Sequence, residues 1–216
     1  MMSLLGVYYR TIRHINLNGY LYVWANILWV ALSLPIITAP AAWAGLVHLS
    51  HTAQTRRRVN LSDFWEGFKA NFWRGTLMGT VTLLIVIVNI TNLLTYTTNT
   101  GVLSLVFRLA WISAVFFWLS TQLYFWQILE EMEHPTLLGG LRNASLMVLQ
   151  NPMFTVGIWL GIIVLVFLSI VFFPAWLLLT GSCLSILTTT AVLDRLKAVG
   201  YENPDHQHPL EALEEV

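Results

Sequence analysis

RRRVNLSDFWEGFKANFWRG, residues Arg56 to Gly75, lies between two apolar stretches and holds five of the chain's eleven basic residues. Three consecutive arginines followed by helix-start residues and an aromatic-rich turn read as the cytoplasmic hinge of a membrane protein, since cytoplasmic loops carry the excess of Lys and Arg. The side on which this hinge lies orients every flanking segment.

The composition around the hinge sets the class. Of 216 residues, 56% are hydrophobic and only 10% charged, with ten tryptophans, which is far from a soluble domain. The expected fold is all-α, a polytopic transmembrane helical bundle joined by short amphipathic cytoplasmic connector helices. The formal net charge is zero, but the charges are segregated by segment, and their placement is what informs. Cys183 is the single cysteine, so neither an intrachain disulfide nor a thiol pair is expected. The first twenty residues contain Arg10 and Arg13 but no short apolar core with a cleavage site, so no removable signal peptide is expected.

Toward the amino terminus, residues 1–16 suggest a short helix on the membrane surface, with a frayed polar end as the alternative. Residues 17–34 form the first expected span. Pro35 and Pro40 then bracket LPIITAP, and each removes a backbone donor and disfavours helix before it. If they only kink one long helix, the chain has five spans. If they make a hairpin, it has six, and ten of eleven basic residues fall on one side with Arg108 alone near the other. Six satisfy the positive-inside rule better, with both termini cytoplasmic.

Beyond the hinge, residues 77–95 form the third span, YTTNTG an external turn, and 102–129 the fourth. Residues 136–151 form a second amphipathic connector, 153–172 the fifth span, Phe173-Pro174 a tight turn and 175–193 the sixth. Residues 1–199 read as one membrane domain and 200–216 as an acidic, disordered cytoplasmic tail.

A weak internal repeat links about 41–95 to 102–172. In the first copy Asn71 precedes Gly75 and Gly79; in the second Asn151 precedes Gly157 and Gly161. Both glycine pairs are spaced for close helix packing, within the chain or between copies in a homo-oligomer.

Within the hinge, Ser62 or Asp63 is placed to cap a helix, with Glu66 at capping-box spacing from Asp63. Phe64, Phe68 and Phe72 share one face, with Trp65 and Trp73 beside them. One reading is an interfacial anchor in which Arg56, Arg57 and Arg58 meet anionic headgroups, each worth about 1 kcal/mol. The other is a coupling helix that docks on a partner protein. The basic hinge and the acidic segment Glu130 to Arg142 are also of opposite charge, which would let the connectors pair.

Candidate chemistry is sparse. His48 and His51 lie one helical turn apart, at the same expected depth as Glu130, Glu131, Glu133 and His134. A metal site can be drawn from them, but no metal-binding motif demands it, and headgroup-facing polar residues are the plainer reading. Asn26, Asn89, Asn92 and Gln122 are neutral polar groups within spans, which tie helices together or line a solute path, and Arg108 reads either as a snorkelling arginine near the outer surface or as an anion or substrate contact in the bundle. The sequence carries no nucleotide loop, nucleophile elbow or paired intramembrane carboxylates, so neither enzyme, cofactor nor nucleic-acid partner is expected.

NILWVALSLPIITAPAAWAGL followed by NLSDFWEGFKANFW resembles the YesL-like family of bacterial integral membrane proteins, a family of unknown function, from about Asn18 to Lys197. The resemblance implies a multi-pass protein of the bacterial plasma membrane, often encoded beside carbohydrate-uptake ABC transporters and glycan-degrading enzymes, and it names no active residues. The expected function is a non-enzymatic accessory membrane protein associated with such an uptake system. The alternative is a small carrier for a sugar-like or anionic solute using Asn89, Asn92, Arg108 and Gln122.

Overall fold

The computed structural model describes residues 4–56, 58–95, 101–201 and 203. Arg57, the expected external turn over 96–100, and the tail at 202 and 204–216 lie outside the described residues. Among the described residues every regular element is helical: α1 (Leu4–Ser33), α2 (Ala39–Thr55), α3 (Leu61–Ala70), α4 (Phe72–Thr95), α5 (Val102–Glu131), α6 (Leu137–Gln150), α7 (Pro152–Val171) and α8 (Gly181–Ala198). A short turn at Phe173–Ala175 and a π-turn at Trp176–Thr180 connect α7 to α8.

The surface helix and first span expected near the amino terminus form one helix, bent where Asn18 leaves helical geometry at φ −124°, ψ 26°. The two prolines make a hairpin turn and not a kink. Ile36–Thr38 is a single 3₁₀ turn, the Thr38 hydroxyl donates to the Leu32 and Pro35 carbonyls, and Pro40 sits in the first turn of α2, where its missing N–H is not needed. Across the turn, Trp29 and Trp43 pack edge to face at 6.3 Å.

This hairpin is short. Its tip residues Ile36 and Ile37 line a cavity together with Leu83 and Val86, the middle of α4. From Val86 to Thr95 α4 continues for about 14 Å beyond the tip at 1.5 Å per residue. The 17 residues of α2 span about 25 Å, less than the ~30 Å of a bilayer's apolar layer. Among the described residues three helices are long and apolar enough to cross a membrane: α4, α5 and α7.

α8 fastens the hairpin to the bundle through hydroxyl side chains. Its Ser182 backbone N–H donates to Asn26 Oδ1 at 2.9 Å, and its hydroxyl to the Tyr22 carbonyl at 2.8 Å. Ser185 Oγ lies 2.8 Å from Ser50 Oγ, Thr190 donates to Gln54 at 3.1 Å, and Thr188 pairs with the Gln127 amide of α5 at 2.5 Å. Such interhelical bonds hold helices together where apolar burial gives little preference for protein over lipid.

Both glycine pairs are used for packing within the chain. A Cβ on Gly75 would come within 2.7 Å of the Ala41 backbone, and one on Gly79 within 2.4 Å of Pro40. Gly157 and Gly161 instead face the ends of the Leu4 and Tyr8 side chains of α1.

After Ala198 the chain leaves α8 through Gly200, whose φ of 79° suits glycine, with the Tyr201 N–H closing onto the Leu196 carbonyl at 3.0 Å. The first tail residues then fold onto α5: Tyr201 donates to the Glu131 carbonyl at 2.8 Å and Asn203 to its carboxylate at 3.3 Å.

Candidate functional site

The base of the molecule gathers the two connector helices, the ends of α2 and α5, and the start of the tail. α3 starts at Leu61 because Asn60 caps it. Asn60 and Asp63 form a reciprocal capping box, with the Asn60 N–H donating to Asp63 Oδ2 at 2.9 Å. The cap expected at Ser62 or Asp63 therefore belongs to Asn60, since an extended Asn60 can accept at the third helical N–H while Asp63 reaches back.

α3 folds back along α2 and meets it at van der Waals distance. A Cβ on Gly67 would lie 2.4 Å from that of His48, and one on Gly45 2.7 Å from the Phe64 carbonyl oxygen. Phe64 is fully buried, in a cluster with Tyr22, Leu46 and Leu49. It is thus a core residue, unavailable to lipid or partner, because the glycine contact brings α3 too close to α2 for Phe64 to point elsewhere.

The other hinge residues divide by face. Phe68 and Phe72 are half-buried, Trp65 is 38% and Trp73 81% exposed, and Arg56 and Arg58 are exposed. Phe64, Trp65, Phe68, Phe72 and Trp73 form a continuous run of edge-to-face contacts with centroids 5.6–6.0 Å apart. The outward face of α3 is therefore aromatic and basic on a fixed support.

The two connectors share one junction geometry. At the end of α3 the Asn71 side chain donates to the Gly67 carbonyl at 3.2 Å, and the Asn71 carbonyl accepts from Gly75 N at 2.7 Å. At the end of α6 Asn151 donates to the Met147 carbonyl at 3.3 Å and accepts from Thr155 N at 2.9 Å. The expected proximity of the connectors takes the form of a bond from the Arg74 guanidinium to the Pro135 carbonyl at 3.3 Å.

Two His–carboxylate pairs join α2 to α5 beside this junction. His48 Nδ1 lies 2.8 Å from Glu130 Oε2 and His51 Nε2 2.6 Å from Glu131 Oε1. The polar set drawn from the sequence is thus brought together in part, as pairs, while Glu133 and His134 are exposed at a neighbouring cavity. Among the described residues no group of three or more His, Cys, Asp or Glu is placed to hold a metal. Sequence spacing suggested the depth of these residues but not the pairing.

Residues 22–93 match the model of a family described as "Protein of unknown function, DUF624". The match runs from the second half of α1 through the hairpin and α3 to near the end of α4. It covers the glycine-packed α2–α3 unit in full, and it assigns no activity. No curated protein matches the chain, and no solved structure does.

Three of the in-span polar residues donate within their own helices. Asn89 and Asn92 donate to the Ile85 and Val88 carbonyls of their own helix, both at 2.7 Å, and Arg108 Nε to Ser104 at 3.4 Å. Gln122 lies 14 residues from Arg108 along α5, about 21 Å. Sequence reading missed the hydroxyl residues of α8; their signal was Ser182, Ser185 and Thr188 recurring every third residue, with Thr190 beyond them, within an otherwise apolar segment.

Proposed function

We propose that this chain is a multi-pass protein of the bacterial plasma membrane that serves as a non-enzymatic accessory subunit, presenting the α3 face as a docking platform on the cytoplasmic side. The observation that carries this reading is the contact of Gly67 with His48. It holds α3 rigidly on α2 with Phe64 inside the protein, so that Trp65, Lys69 and Trp73 are displayed by the fold itself. A preorganised aromatic surface flanked by Arg56 and Arg58 has the residue types that dominate protein interfaces.

In this reading α4, α5, α7 and the segment 173–198 cross the bilayer, and the α1–α2 hairpin enters it from the basic side and turns within the apolar layer. That gives six passages of the chain, two of them at partial depth, with both ends cytoplasmic. Membership of the YesL-like family, and assembly with a carbohydrate ABC uptake system, rest on the motif resemblance. The carrier alternative draws less support, because the amide nitrogens of Asn89 and Asn92 are both taken up by carbonyls of their own helix.

A photo-crosslinking residue at position 65, followed by purification from native membranes, tests the docking role. Capture of one defined transporter subunit, lost on Trp73→Glu, is expected. Capture of lipid alone would replace docking with the anchor reading.

A further inference from the structure

The described residues end at a fixed point on the base. Tyr201 donates to the Glu131 carbonyl at 2.8 Å and Asn203 to the Glu131 carboxylate at 3.3 Å, and that carboxylate also lies 2.6 Å from His51 of α2. His51 is one helical turn from His48, against which Gly67 of α3 packs. Three contacts and one turn of α2 therefore link Asn203 to the α3 platform.

Beyond Asn203 the sequence runs PDHQHPLEALEEV, residues 204–216, with Asp205, Glu211, Glu214 and Glu215 and neither Lys nor Arg. Residues 56–74 are of opposite sign, with Arg56, Arg57, Arg58, Lys69 and Arg74 against Asp63 and Glu66. Arg56, Arg58 and Lys69 are exposed, while Asp63 is engaged by the Asn60 N–H. The same base exposes Trp65 and Trp73, apolar surface of the kind that Leu210 and Leu213 can cover. Thirteen residues reach about 43 Å when extended, ample to cross the end of α2.

The cavity at the root of this segment offers the wrong charge. Glu131, Glu133 and His134 line it, and the one Lys or Arg among its described lining residues is Arg195, whose guanidinium lies 2.5 Å from Asp194. Added carboxylates would meet Glu131 and Glu133 there, and basic side chains at α3.

We propose that residues 204–216 dock on the outward face of α3, with Glu211, Glu214 and Glu215 toward Arg56, Arg58 and Lys69, and Leu210 and Leu213 toward Trp65 and Trp73. This rests on the docking reading above and names what covers the platform until a partner displaces it. Exposed ion pairs contribute little singly. Tethering at Asn203 raises the local concentration of the segment to about the millimolar range, so a weak contact suffices.

The test uses the purified full chain, one per nanodisc of neutral phosphatidylcholine, with a photo-crosslinking residue at position 65 and the cross-linked peptides mapped. Cross-links to 204–216 are expected. Glu211→Lys, Glu214→Lys and Glu215→Lys together should lower their yield at least about threefold, the worth of a few exposed ion pairs. Adding Arg56→Glu, Arg58→Glu and Lys69→Glu should restore it. Position 73 takes the crosslinker if the variant at 65 does not fold. Cross-links to lipid or to other segments alone, or tail cross-links indifferent to charge reversal, overturn the inference. No partner is present in this preparation, so failure to capture one from native membranes would remove the docking reading and leave these cross-links standing.

Discussion

Gly67 of α3 lies so close to His48 of α2 that a Cβ placed on it would meet the His48 Cβ at 2.4 Å. The clash falls on the stem of the side chain, which cannot swing away. Gly67→Ala is therefore expected to destabilise the protein by about 1–3 kcal/mol through overpacking. Gly19→Ala is the control, since nothing lies within 4 Å of that position and alanine favours helix. Thermal unfolding in detergent, read on both variants, checks the contrast; an equal effect at the two positions would contradict it.

His51 and Glu131 form the more enclosed of the two His–carboxylate pairs, with side-chain exposures of 12% and 4%. Breaking a buried pair leaves a polar group stranded, so Glu131→Leu is expected to cost about 3–5 kcal/mol, and the double variant His51→Phe with Glu131→Leu less than the sum. Glu133→Gln, at an exposed position, should be near neutral. Strict additivity in the double-mutant cycle would show that the pair is not coupled.

Asn26 and Ser185 represent the polar seam between α8 and the hairpin. Asn26→Leu and Ser185→Ala are each expected to lower stability by about 0.6 kcal/mol, and by no more than about 1.7 kcal/mol, the average and upper limit for interhelical bonds in a membrane protein. Resistance to unfolding by sodium dodecyl sulfate provides the measurement. No change in either variant would mean the seam is incidental to stability.

The helical class, the hairpin at Pro35–Pro40 and the place of the connectors were legible because prolines, apolar run lengths and charge segregation act locally. The depth of the hairpin was not. It depends on Gly75 and Gly79 meeting Ala41 and Pro40, a contact between segments more than thirty residues apart that sets where α4 begins beside α2. The hinge was read as one amphipathic face, yet Phe64 turned inward, because Gly45 and Gly67 face each other and no periodicity within α3 reveals its partner. Asn71 and Asn151 stood out in the sequence by their position before the long apolar runs, and each makes the same backbone bonds at its junction.

His14, in the part of α1 that precedes the bend, is buried with both ring nitrogens bonded to none of the described residues. Burial first, and then the charges of Arg10 and Arg13, lower its pKa below the ordinary value. The folded state thus disfavours the protonated form, and stability present above the unfolded pKa of about 6.5 is lost as pH falls through the folded value. Acidification from about pH 7.5 to about pH 5 should lower the melting temperature of the native chain more than that of His14→Phe. Identical pH profiles would assign the acid sensitivity elsewhere.

The proposed topology places the base on one side of the bilayer and stops the hairpin inside it. Single cysteines at Trp65, Ile37 and Gly101, in a Cys183→Ser background, can be probed in intact cells and in inverted vesicles with a membrane-impermeant maleimide. The account predicts labelling at position 65 from the cytoplasmic face only, at position 101 from the opposite face only, and at position 37 from neither. Labelling of position 37 from the same face as position 101 would show that the hairpin crosses the full bilayer, and would contradict the half-depth hairpin.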